Sequence, residues 1–130
     1  KISTSPGPDD DPDWYARPSW SPDSGRLLWL EGGDSKWIYY ATAQLAVADL
    51  STGVVTRPGQ IDRWYYYPKF APDGSIVSLI EHDRDTWLAR IDPASGKIDY
   101  LTSGKRFGVD FDVAPDGRIV LLESEVGKPA

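Results

Sequence analysis

The sequence predicts an all-β chain built from repeated four-stranded antiparallel sheets, and three observations predict it. A Pro-Asp turn is written three times, at spacings of 50 and then 43 residues. Each copy is followed by a short apolar run bounded by turn signals, too brief for a typical helix. Nothing in the chain reads as a helix.

The elements follow in order from that repeat. Trp20-Ser21-Pro22-Asp23 recurs as Phe70-Ala71-Pro72-Asp73 and as Val113-Ala114-Pro115-Asp116, with Gly25, Gly74 and Gly117 behind them. The Pro-Asp-Gly elements read as hairpin turns, and the runs Leu27 to Leu30, Ile76 to Ile80 and Ile119 to Leu122 as buried strands. Similarity extends past the motif. Asp49-Leu50-Ser51-Thr52-Gly53 aligns with Asp92-Pro93-Ala94-Ser95-Gly96, each Gly standing 19 residues before the next motif Pro. Trp14-Tyr15, Trp64-Tyr65 and Phe107 fall eight residues before Pro22, Pro72 and Pro115.

One unit therefore reads as strand A from Arg17 to Ser21, B from Arg26 to Glu31, C from Leu45 to Asp49 and D from Val54 to Arg57. The next unit reads as A from Pro68 to Ala71, B from Ser75 to Glu81, C from Thr86 to Ile91 and D from Lys97 to Leu101. Lys1-Ile2-Ser3 is similar to the D strand at Lys97-Ile98-Asp99, and Arg118 to Ser124 is a further B strand. The expected division is an outer strand and acidic loop at 1–12, a unit at 13–62, a unit at 63–105, and the first two strands of another at 106–130.

Four short strands in 43 to 50 residues describe the blade of a β-propeller, a twisted sheet that hides its faces against its neighbours. About three blades are present, whereas closed rings hold roughly four to eight. An open arc leaves terminal faces and edges unprotected. The expectation is a portion of a longer propeller, or a ring closed by a second copy.

Composition narrows the functional classes. A chain of 130 residues has the size of one ordinary domain. Six Trp, seven Tyr and three Phe within a 40% hydrophobic composition supply too much apolar mass for a disordered chain. A formal charge of -6 repels phosphate backbones, which disfavours nucleic acid as a partner. The absence of Cys removes disulfides, thiolate metal sites and a cysteine nucleophile. No apolar run approaches the roughly 18 residues of a membrane-spanning helix, and the start at Lys1 reads as processed or truncated.

The three Pro-Asp motifs, joined to hairpins of the Asp49-to-Gly53 type, resemble the repeats of TolB-like propellers. The same blades resemble the amino-terminal propeller of prolyl-oligopeptidase-family serine peptidases, such as dipeptidyl and acylaminoacyl peptidases. Ala43 to Leu50 and Phe111 to Gly117 are more like the peptidases. That resemblance implies a non-catalytic lid over an α/β-hydrolase domain, gating peptide access and helping to hold the substrate. The alternative is a TolB-like scaffold that docks another protein. Only the resemblance bears on location, pointing to the periplasm or outside the cell.

Catalysis by the chain itself is not expected. It lacks the Gly-x-Ser-x-Gly elbow of such hydrolases, and Ser35, after Gly33-Asp34, reads as a turn residue. His82, the single imidazole, stands beside Glu81, Asp83 and Asp85, which have the chemistry to bind a metal or tune a base. A lone His in a charged loop is more often solvated. Asp9, Asp10, Asp11 and Asp13 lack the spacing and Gly of a calcium loop. No metal or cofactor is expected. Asp23, Asp73 and Asp116, with Pro22, Pro72 and Pro115, read as structural turns, and Trp20 and Phe70 as inter-blade packing.

Strand alternation puts the uniform A-to-B and C-to-D turns on one rim. The other rim gathers the irregular loops 9–15, 32–40, 63–67, 82–85 and 104–107. Aromatic rings give contact area at low entropy cost and Arg gives forked donors. Arg63, Trp64, Tyr65, Tyr66, Arg84 and Arg106 are accordingly the candidate recognition residues.

Overall fold

A computed structural model describes residues 18–31 and 43–125. The strand expected at 1–3, the acidic run from Asp9, Trp14-Tyr15, Ser35 and the loop 32–40 lie outside the described residues. Ten strands and no helix occur among those described: β1 (Ser19–Trp20), β2 (Arg26–Glu31), β3 (Gln44–Asp49), β4 (Val55–Thr56), β5 (Tyr65–Phe70), β6 (Ile76–His82), β7 (Asp85–Ile91), β8 (Ile98–Tyr100), β9 (Arg106–Val113) and β10 (Ile119–Glu125).

The first sheet runs β1-β2-β3-β4, all antiparallel, and is one blade. β5, β6, β7 and β8 form the second blade in the same order. β9 and β10 begin a third. The chain is thus all-β with the architecture of a partial propeller. The second and third blades are joined by one parallel pair, Thr86 to Phe107, which makes a six-stranded sheet. This junction arises because β8 covers only Ala89 to Ile91 of β7, leaving the start of that strand to β9. The crossover is tied down where the Trp87 indole N–H donates to the Gly104 carbonyl at 2.8 Å.

Alternation along the strands sorts the core into layers. Leu28, Leu30, Leu45 and Val47 of the first blade meet Tyr65, Phe70, Ile76, Ile80, Ala89 and Ile91 of the second. The opposite face of the second blade sends Ala71, Val77, Leu79 and Leu88 against Phe111. Cations bridge successive blades. The Arg26 guanidinium lies 5.3 Å from the centre of the Phe70 ring, and the Lys69 ammonium 5.0 Å from that of Phe111. Lys69 also donates to the Phe111 carbonyl at 2.8 Å.

Trp20 departs from the expectation of packing: it is 59% exposed. The reason is register. Ser19 turns toward the second blade, its hydroxyl accepting from the Phe70 amide at 3.2 Å, so the next residue points the other way. Trp20 pairs with Leu27 on the face that holds Trp29, Ala46 and Ala48, away from the second blade. Phe70 packs between blades as expected.

Candidate functional site

The three Pro-Asp turns are structural. Asp73 Oδ1 accepts from the Ser75 amide at 2.9 Å and the Ser75 hydroxyl at 2.6 Å. Asp23 does the same with the Ser21 hydroxyl and the Gly25 amide, and Asp116 with the Arg118 amide. These bonds stabilise the charged form and hold the carboxyls of Asp23 and Asp73 below the ordinary carboxylate range.

The irregular rim is divided by a bulge in β5. Tyr66 pairs with Leu79 and Lys69 with Val77, so that Tyr67 and Pro68 stand opposite the single residue Ser78. Tyr67 takes a left-handed φ of 54°, a conformation unusual for a bulky side chain. Consecutive strand residues ordinarily face opposite sides, yet Tyr66 and Tyr67 both pack toward the third blade. Tyr65 faces the first blade instead. It is fully buried and its hydroxyl donates to the Gly59 carbonyl. Tyr65 therefore belongs to the core and is removed from the recognition rim; burial pushes its hydroxyl pKa up.

Between the second and third blades the bulge opens a cleft of about 480 Å³. Its walls are the rings of Tyr66, Tyr67 and Phe107, and its floor includes Leu79 and Gly108. The β6–β7 hairpin contributes Glu81, Asp83, Arg84, Asp85 and Thr86. Gly108 fits closely here: a Cβ would lie 2.7 Å from Leu79 Cδ2 and 3.3 Å from the Thr86 carbonyl oxygen, so the Leu79 side chain would have to shift. Burial and then the Glu81 charge raise the Tyr66 hydroxyl above its usual pKa.

Of the six candidate residues, Tyr66 and Arg84 line this cleft. Arg63 reaches its margin through Asp83, at 3.8 Å. Trp64 packs against the core shared with the first blade, and Arg106 pairs with Glu123 at 3.5 Å within its own hairpin. Tyr67, Asp85 and Phe107 were not among the candidates, although their loops were assigned to the same rim, and Glu81 was assigned to the end of a strand. The missing signal was the bulge, which no residue pattern before Pro68 announces.

His82 does not enter the cleft. It stacks on Trp87 with ring centres 3.8 Å apart, and Tyr100 meets both rings edge-on. No group of three metal-ligating side chains occurs among the described residues. Nor is any helix of the described residues long and apolar enough to cross a membrane.

No known family profile matches the chain, and no curated protein matches it in sequence. Solved structures do. TolB from Acinetobacter baumannii superposes with a TM-score of 0.69 at 24% identity over 87% of this chain and 27% of its own. A candidate TolB from Agrobacterium tumefaciens gives 0.69 at 16% identity over 97% of this chain and 42% of its own. A puromycin hydrolase mutant complexed with PGG gives 0.67 at 20% identity over 83% of this chain and 18% of its own. The chain spans less than half the length of each. It has the TolB-like propeller fold, which part of the puromycin hydrolase chain shares.

Proposed function

We propose that this chain is a non-catalytic propeller segment that recognises peptide or protein segments at its irregular rim. The cleft between the second and third blades carries the reading. Its volume lies within the roughly 300–1,000 Å³ of ligand sites, and it combines ring surface with charged groups. The turn rim, by contrast, satisfies its carboxylates within the turns themselves.

The test is titration of the isotopically labelled chain with a pool of acetylated, amidated random heptapeptides. Amides of 66–67, 81–86 and 106–109 are expected to shift. Shifts confined to the turn rim, or none, would overturn the reading, as would hydrolysis of peptide anilides by the chain.

The likeness to puromycin hydrolase favours a second, narrower reading in which the segment gates a serine peptidase. The two separate on the reading frame after residue 130. An α/β-hydrolase domain with a Gly-x-Ser-x-Gly elbow supports the gate, and a frame holding blades alone supports a protein-docking scaffold.

A further inference from the structure

Resting on that reading of the rim, we infer that the cleft between the second and third blades takes a cationic side chain, the guanidinium of an arginine within the bound segment. Three carboxylates line it against one guanidinium, that of Arg84. Asp83 is already paired with Arg63 at 3.8 Å, and the His82 ring lies 3.7 Å from its other oxygen. Glu81 and Asp85 form no ion pair among the described residues, although both are half-buried. A partly desolvated carboxylate gains most from a cation that brings its own hydrogen-bond donors.

The rings decide which cation. Tyr66, Tyr67 and Phe107 border the same space, and Phe107 is 46% exposed on a strand otherwise packed through Phe111. A guanidinium is planar and weakly hydrated, so it stacks on such rings while its edge bonds a carboxylate; a compact ammonium does only part of this. The fold uses a guanidinium over a ring internally, with Arg26 over Phe70. A bare metal ion would need several oxygen ligands converging on one point, and no three His, Cys, Asp or Glu side chains among the described residues are so placed.

The experiment compares two acetylated, amidated peptides of one sequence, differing only by arginine against its neutral isostere citrulline, by calorimetry on the full chain. Blocked ends leave the side chain as the only cation. The arginine peptide is expected to bind about tenfold more tightly. Glu81→Gln and Phe107→Ala should each bring that ratio toward one. Asp99→Asn, which removes an equal charge on the opposite rim, should preserve it. Phe107 is exposed, so its variant remains informative if Glu81→Gln fails to fold. Equal binding of the two peptides overturns the inference and leaves peptide recognition standing. An arginine preference that survives both cleft variants overturns it as well, by tracing the effect to net charge. Binding of neither peptide, together with a silent heptapeptide pool, overturns the underlying reading.

Discussion

At the scale of single residues, the repeated turn shows how a motif can be read correctly and aligned one place off. Gly74 and Gly117 occupy left-handed backbone with φ of 88° and 91°. In the first copy that position falls on Ser24, at φ 59°, while Gly25 lies one residue further on. A Cβ in the left-handed region costs about 1–2 kcal/mol, partly offset by the greater unfolded freedom of Gly. Ser24→Gly should therefore stabilise the chain by about 1 kcal/mol, raising the denaturation midpoint. A lower midpoint would mean that the side chain is needed in the turn.

The turn carboxylates also set an acid limit. Asp23, Asp49, Asp73 and Asp92 are held below their ordinary pKa, first by bonds from the Ser21, Ser51 and Ser75 hydroxyls and, for Asp92, the Ala94 amide. A depressed folded-state pKa means that the unfolded chain binds more protons in the window below about pH 4. Their contribution is fully present above that pH and is lost as pH falls through the folded values. Asp73→Asn keeps an acceptor oxygen but cannot titrate. Its stability should decline less between pH 5 and pH 2 than the parent's, as read by chemical denaturation; an identical decline would remove Asp73 from the acid response.

Among the elements, sequence and structure agree where local pattern suffices. β2 spans Arg26–Glu31 as the apolar run predicts, and the Asp-x-x-x-Gly hairpins close with Gly53 and Gly96 at positive φ. β5 differs, beginning at Tyr65 rather than Pro68 and carrying a bulge beside which Tyr66 and Tyr67 pack with Phe111 of the third blade. Lys69 follows that bulge and ties the second blade to the third through the Phe111 carbonyl, the Phe111 ring and Asp112 at 3.5 Å. The ammonium is partly exposed, so the charged hydrogen bond must be discounted for solvent. Lys69→Met should cost about 1 kcal/mol. Hydrogen exchange should accelerate in 106–125 more than in 44–56. A uniform acceleration would show that the contact does not join these two blades in particular.

For the molecule as a whole, the exposed apolar surface has a definite place. Val120 is 71% and Leu122 59% exposed, and cross-strand pairing puts them with Asp112 and Asp110 on the face of β9–β10 turned away from the second blade. Trp20 marks the corresponding outward face of the first blade. These are the faces that a propeller covers with neighbouring blades. Alone in solution, the chain should associate with a second copy through them. Sedimentation equilibrium of the parent against Val120→Lys with Leu122→Lys checks this: the double variant should be monomeric, and a monomeric parent across the micromolar range would contradict the expectation.

The sequence by itself determined the repeat, the all-β class, the turn chemistry and the common rim of the loops 63–67, 82–85 and 104–107. Those properties depend on residues within a few positions of one another, where alternation and Pro, Asp and Gly constrain the backbone directly. Tertiary structure alone decided which way each aromatic of the Trp64-to-Tyr67 run faces. A one-residue bulge reverses the facing of a side chain, and whether it forms depends on packing between blades more than 40 residues apart, as Tyr66 and Tyr67 with Phe111 illustrate.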